Sequence, residues 1–180
     1  QTKSAVSYKN PVVDIAMPDP TVIKAADGYF YVYATESTRN VPIMKSKDLV
    51  EWTYCNTAFT NKTRPRFEPK AGIWAPDINY INGKYVLYYA MSVWGGEQTC
   101  GIGVATANSP QGPFTDHGKM FRSNEIGVQN SIDPSLLQYE GRNYLVWGSF
   151  RGIYVIELTA DGLSIMPGAK KKRIAGTAFE

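Results

Sequence analysis

Along most of this chain apolar and polar residues alternate over four to eight positions before a turn residue interrupts them, and helical periodicity is almost absent. The stretch TVIKAADGYFYVYAT (21–35) reads as strand, turn at Asp27-Gly28, strand. INYINGKYVLYYAMS (78–92) repeats this around Asn82-Gly83, and SLLQYEGRNYLVWGSF (135–150) around Glu140-Gly141. Glycine, asparagine and aspartate tolerate the positive φ that tight hairpins demand. A third strand is expected after each hairpin: VPIMKSK (41–47), GIGVATA (101–107) and GIYVIEL (152–158). A weaker outer strand follows it: EWTYC (51–55), PFTDHG (113–118) and LSIMPG (163–168).

The same four-strand pattern thus runs three times, which predicts an all-β chain and, at this unit length, a β-propeller. The expected blades cover about 16–56, 73–118 and 130–168, with a fourth beginning at 177–180. Propellers close with ~4–8 blades, and an open blade edge exposes backbone groups and apolar faces. Residues 1–180 are therefore expected to be the N-terminal part of a single propeller domain, incomplete at the C-terminal end. The remaining blades would be a continuation or a second chain.

An aspartate stands at the entrance to each repeat: Asp19 in MPDPTVI, Asp77 in WAPDINYI and Asp133 in NSIDPSLL. They lie at near-even intervals, and a somewhat shorter step reaches Glu180. First strands of propeller blades line the central axis, so residues at the same end of each would converge on one funnel. Asp-Pro also starts ordinary turns; that accounts for one such residue more easily than for four in register.

Composition narrows the function classes. Hydrophobic residues make up 43% and charged ones 19%, which fits a folded globular chain. The net charge of +3 is small, and the basic run KKKR (170–173) lacks an aromatic platform. It reads as a solvated loop or hairpin tip rather than a nucleic-acid site. No apolar stretch approaches the ~20 residues that span a bilayer. Cys55 and Cys100 have no metal-like spacing and read first as free, buried thiols, a disulfide being open to an exported protein. His117, in TDHGK, has a turn-like setting without a nearby Cys or His partner, which argues against zinc.

Carboxylates facing each other across a funnel lined with aromatics suit glycoside hydrolysis. One protonates the leaving oxygen, and the other activates water on the opposite face. A third carboxylate beside the acid raises its pKa by like-charge repulsion. Trp74 is placed to stack on a sugar, or equally to pack between blades.

Here the sequence resembles glycoside hydrolase family 43, five-bladed propellers acting on arabinan, arabinoxylan and xylosides. The resemblance lies in DPTVI (19–23), WAPDI (74–78), NSIDPSL (130–136), WGSFRGIYVIEL (147–158) and the terminal FE, in the family's order. It implies that Asp19 is the general base, that Asp133 tunes and orients the acid, and that Glu180 is the general acid. It implies sugar contacts for Trp74, Asn130 and Ser149, and a structural or substrate-orienting part for Asp77. The Gly-Pro that usually follows the acid motif is not in the sequence. No cofactor is required; a structural calcium near the propeller axis would take its ligands from beyond this chain. The arabinanase branch fits best, with α-1,5-arabinan as substrate and inversion as stereochemistry. α-L-Arabinofuranosidase, β-xylosidase and a non-catalytic sugar-binding propeller remain the alternatives. A plant-type polymer such as arabinan or arabinoxylan is too large to enter cells, which favours a secreted or periplasmic protein.

Overall fold

The computed structural model describes residues 7–176. They form three antiparallel four-stranded sheets, the blades of a β-propeller. The first contains β1 (Thr21–Lys24), β2 (Phe30–Tyr33), β3 (Pro42–Ser46) and β4 (Trp52–Thr57) in that spatial order. The second contains β5 (Gly72–Ile81), β6 (Lys84–Ser92), β7 (Gly101–Ala107) and β8 (Thr115–Arg122). A single helical turn, α1 (Ser123–Ile126), leads to the third: β9 (Ser135–Tyr139), β10 (Arg142–Ser149), β11 (Gly152–Leu158) and β12 (Lys172–Ala175).

Two of the hairpins turn where the sequence signals them. Asn82 and Gly83 have φ of 49° and 82°, and Glu140 and Gly141 have φ of 48° and 74°. Two consecutive positive φ values make the two-residue turn whose twist matches the flanking strands. Around Asp27 the loop is longer: Gly28 N–H donates to the Ala25 carbonyl, and the Asp27 carboxylate accepts from Tyr29 N–H at 3.0 Å.

Blade packing explains the unbroken apolar run of β6. Leu87, Tyr89 and Met91 face the first blade, joining Tyr31, Tyr33, Ile43, Phe59 and Phe114 in one core. Val86 and Tyr88 face the third blade, joining Ile102, Phe121, Leu145, Trp147 and Ile156 in another. The strand keeps its two-residue period, but both faces are buried, so its sequence does not alternate. The middle blade is thus packed on both sides. The far face of the first leaves Val22 and Tyr54 exposed, and that of the third leaves Leu137, Tyr139 and Ile174 exposed.

Three local expectations are corrected. The outer strand of the third blade is KRIA (172–175), not LSIMPG. Leu163 and Ile165 still pack on the second core, but Ile165 makes only an isolated bridge to Leu158. The basic run is only partly a loop: Lys170 and Lys171 precede β12, whereas Lys172 and Arg173 pair with Val155 and Tyr154 at the sheet edge. Charges there discourage edge-to-edge association. His117 lies in β8 rather than in a turn, with its Nε2 2.8 Å from the Thr106 hydroxyl. Both cysteines are free; Cys100 is buried and Cys55 half-buried.

Candidate active site

The first strands of the blades enter in the same way. Asp19, Ala75 and Asp133 each precede a proline and each has positive φ, at 50°, 38° and 54°. A proline disfavours the helical region for the residue before it, and a non-glycine residue at positive φ carries additional cost. Strain held at three equivalent places is a marker of a constrained site.

This equivalence corrects the register read from the sequence. The second-blade counterpart of Asp19 and Asp133 is Ala75, not Asp77. Asp77 pairs with Tyr88 as Thr21 pairs with Tyr33 and Ser135 with Val146. At that position side chains work between blades. Thr21 Oγ1 accepts from Ile78 N–H at 3.3 Å, and Asp77 Oδ2 accepts from Leu136 N–H at 2.7 Å and from Asn79 Nδ2 at 2.7 Å. Burial pushes the Asp77 carboxyl above the usual carboxylate range, partly offset by donors from Leu136, Asn79 and Thr21. Asp77 therefore sits in the joint between blades and does not line the depression described next.

Asp19, Trp74, Asn130, Asp133 and Ser149 all line one depression of about 720 Å³. Glu180 lies outside the described residues. Thr35 Oγ1 donates to Asp19 Oδ2 at 2.6 Å. Asn130 Nδ2 donates to Ser149 Oγ at 2.9 Å, and Gly148 N–H donates to the Ile132 carbonyl, tying the β10–β11 hairpin to the approach to Asp133. Desolvation by the surrounding protein raises the Asp133 carboxyl pKa, and the negative charge of Asp19 raises it further.

Trp74 forms the aromatic wall. Its indole folds back over Gly72, where an added Cβ would lie 2.5 Å from Nε1. Trp94, 93% exposed on the β6–β7 loop, stands with its ring 5.5 Å from that of Trp74. Phe150 is exposed on the same depression. An exposed tryptophan beside carboxylates offers a flat apolar face on which a ring-shaped ligand can pack.

Thr35, Trp94, Glu97 and Phe150 belong to this site and were not singled out from the sequence. They come from loops after strands, where no periodicity marks them. Only Phe150, beside Ser149, lay next to a residue already singled out. Glu97 accepts from Gln129 Nε2 at 2.6 Å and from Arg151 Nε and a terminal nitrogen at 3.2 and 3.1 Å. It thereby braces the second-blade loop against the third blade. Among the described residues no group of three or more His, Cys, Asp or Glu is placed to hold a metal ion.

Comparison with known proteins gives this geometry its context. An extracellular endo-α-(1→5)-L-arabinanase of Bacillus subtilis is 38% identical over 140 residues, spanning 73% of this chain and 43% of that protein. An arabinan endo-1,5-α-L-arabinosidase A of Aspergillus niger is 32% identical over 137 residues, spanning 73% of this chain and 41% of that protein. The α-L-arabinanase of Cellvibrio cellulosa solved with arabinohexaose superposes with a TM-score of 0.78 at 28% identity, covering 90% of this chain and 54% of that one. The chain thus spans about half the length of the relatives it matches. The family model for glycosyl hydrolases family 43 matches residues 8–180, and the chain belongs to that family.

Proposed function

We propose that this chain carries the base side of the active site of an arabinan-degrading glycoside hydrolase, which cuts α-1,5-L-arabinofuranosyl linkages with inversion. The observation that carries the reading is the meeting of Asp19 and Asp133 in one depression beside Trp74. The arabinanase names of the relatives support arabinan as the polymer.

In this reading Asp19 takes a proton from water as the water attacks the anomeric carbon. Glu180 donates a proton to the departing oxygen. Asp133 is the third carboxylate of the reading, whose negative charge would disfavour ionisation of Glu180 and so favour its protonated form. Inversion requires room for that water, roughly 6.5–9.5 Å between base and acid carboxyls. Trp74 packs on the sugar ring, while Asn130 and Ser149, already joined to each other, offer polar contacts. Any structural calcium would draw on ligands outside the described residues. The polymer's size, and the extracellular relative, support action outside the cytoplasm. The complete enzyme would include the further blades that its relatives' lengths imply, as a continuation or a second chain.

The test is release of reducing sugar from debranched arabinan. Activity lost in Asp19→Asn and retained in Asp77→Asn supports the reading. Binding of arabino-oligosaccharide without hydrolysis would instead make it a sugar-binding propeller.

A further inference from the structure

Thr35 touches two parts of the site at once. Its hydroxyl oxygen lies 2.6 Å from Asp19 Oδ2 and 2.7 Å from the backbone nitrogen of Ala75. The direction of the proton follows from chemistry alone. A backbone N–H can only donate, so the hydroxyl oxygen must accept from Ala75. An ionised carboxylate can only accept, so the single hydroxyl proton goes to Asp19. One hydroxyl thus joins two residues at positive φ, Asp19 and Ala75. The Thr35 backbone adds a third tie, its N–H donating to the Pro18 carbonyl at 2.9 Å.

The next residue works on the other side of Trp74. Glu36 Oε1 accepts from Ile73 N–H at 2.9 Å, and Glu36 N–H donates to the Ile73 carbonyl. The carboxylate is itself held by Arg64, through two contacts of 2.5 Å, and by Asn40 N–H. Consecutive residues of the β2–β3 loop therefore hold the backbone immediately before and immediately after Trp74. Between the Asp19 carboxylate itself and the backbone after Trp74, the direct link is the Thr35 hydroxyl.

We propose that Thr35 is a positioning residue: its hydroxyl fixes Asp19 by Oδ2, leaves Oδ1 to receive the proton from water, and sets Trp74 at a fixed place relative to that oxygen. This rests on the hydrolytic reading above. Oδ1 takes no hydrogen bond from the described residues. A carboxylate anchored by one oxygen loses its freedom to rotate, and the aromatic wall that locates the sugar is registered to the same anchor. A displacement of about 1 Å in such a constellation costs on the order of 10²-fold in rate.

Thr35→Val removes the hydroxyl and keeps the β-branched shape, Thr35→Ser keeps the hydroxyl, and Thr35→Ala repeats the deletion should the valine disturb folding. In the arabinan-active protein, kcat of Thr35→Val or Thr35→Ala should fall about 10–100-fold, while KM rises at most several-fold through the shift of Trp74. The loss should be similar on arabinan and on an activated aryl arabinoside, because water attack is needed for both. Thr35→Ser should restore most of it. In an Asp19→Asn background, Thr35→Val should add almost nothing. Wild-type kcat in both deletions, or a full further loss in the Asp19→Asn background, overturns the proposal. Should the wild-type protein prove inactive on arabinan, the hydrolytic reading fails separately. Crystal structures then decide the positioning claim: Asp19 and Trp74 should shift in Thr35→Val and return in Thr35→Ser, and unchanged positions contradict it.

Discussion

Arg64→Met tests the support beneath Trp74. The Arg64 and Glu36 side chains are 7% and 9% exposed. The guanidinium makes two 2.5 Å contacts to Glu36 and donates to Asn40 Oδ1 at 3.2 Å and to the Ala71 carbonyl at 2.8 Å. Methionine fills much of the volume but none of these bonds, leaving a buried carboxylate with two backbone donors. Breaking one side of a buried pair costs about 3–5 kcal/mol, a large part of a typical stability of about 5–15 kcal/mol. Adding Glu36→Gln removes the stranded charge, so the double variant should regain about 1–3 kcal/mol. The pH dependence gives a second reading. Burial pushes the Glu36 carboxyl up, but Arg64 and the Asn40 and Ile73 N–H groups hold it below its ordinary value. A lowered folded-state pKa stabilises above the unfolded value and loses that contribution as pH falls through the folded one. Without Arg64 much of that lowering is lost, so the variant gains less stability than the wild type as the carboxyl ionises, and its penalty grows as pH rises past the carboxylate range. Urea unfolding followed by tryptophan fluorescence at several pH values measures both effects. A loss below about 1 kcal/mol, or the same pH slope in variant and wild type, would refute the reasoning.

Gly72→Ala should crowd the Trp74 indole, which can swing away, so KM for arabino-oligosaccharides should rise several-fold while the melting temperature changes little. Asp77→Asn should leave kcat/KM for arabinan near the wild-type value. Because burial raises the Asp77 pKa, the wild-type charge opposes folding as pH rises through and above its ordinary value of 3.8; the variant should therefore melt at the same or higher temperature at pH 7 and lose that advantage in acid. Glu180→Gln should lose most activity on arabinan yet keep much more on an aryl arabinoside with a good leaving group, whereas Asp19→Asn should lose both by about 10²–10⁴-fold. Equal losses on the two substrates for Glu180→Gln would assign it another role.

The strand pattern was legible because blade strands are short and their turns are chemically marked, as at Asn82-Gly83 and Glu140-Gly141. The register of the second blade was not. Asp77 looks like Asp19 in sequence, but the proline that sets the backbone follows Ala75, and a bulge in β5 separates Trp74 from Asp77. The outer strand of the third blade was misplaced because Leu163 and Ile165 have the apolar spacing of a strand while packing as a loop, and an edge strand such as KRIA need not be apolar. Asp19, Asp133, Trp74, Asn130 and Ser149 could be named from motifs, and all reach one depression. Thr35 and Glu36 could not, since their importance lies in what they hold: the backbone on either side of a tryptophan about forty positions away in sequence.

The configuration of the first product tests the central claim most directly. Proton NMR of an α-1,5-arabino-oligosaccharide, recorded within the first turnovers and before mutarotation, should show β-L-arabinofuranosyl reducing ends appearing first, with the α form growing in later. An α anomer appearing first would mean retention, and would contradict the assignment of Asp19 as a base acting on water.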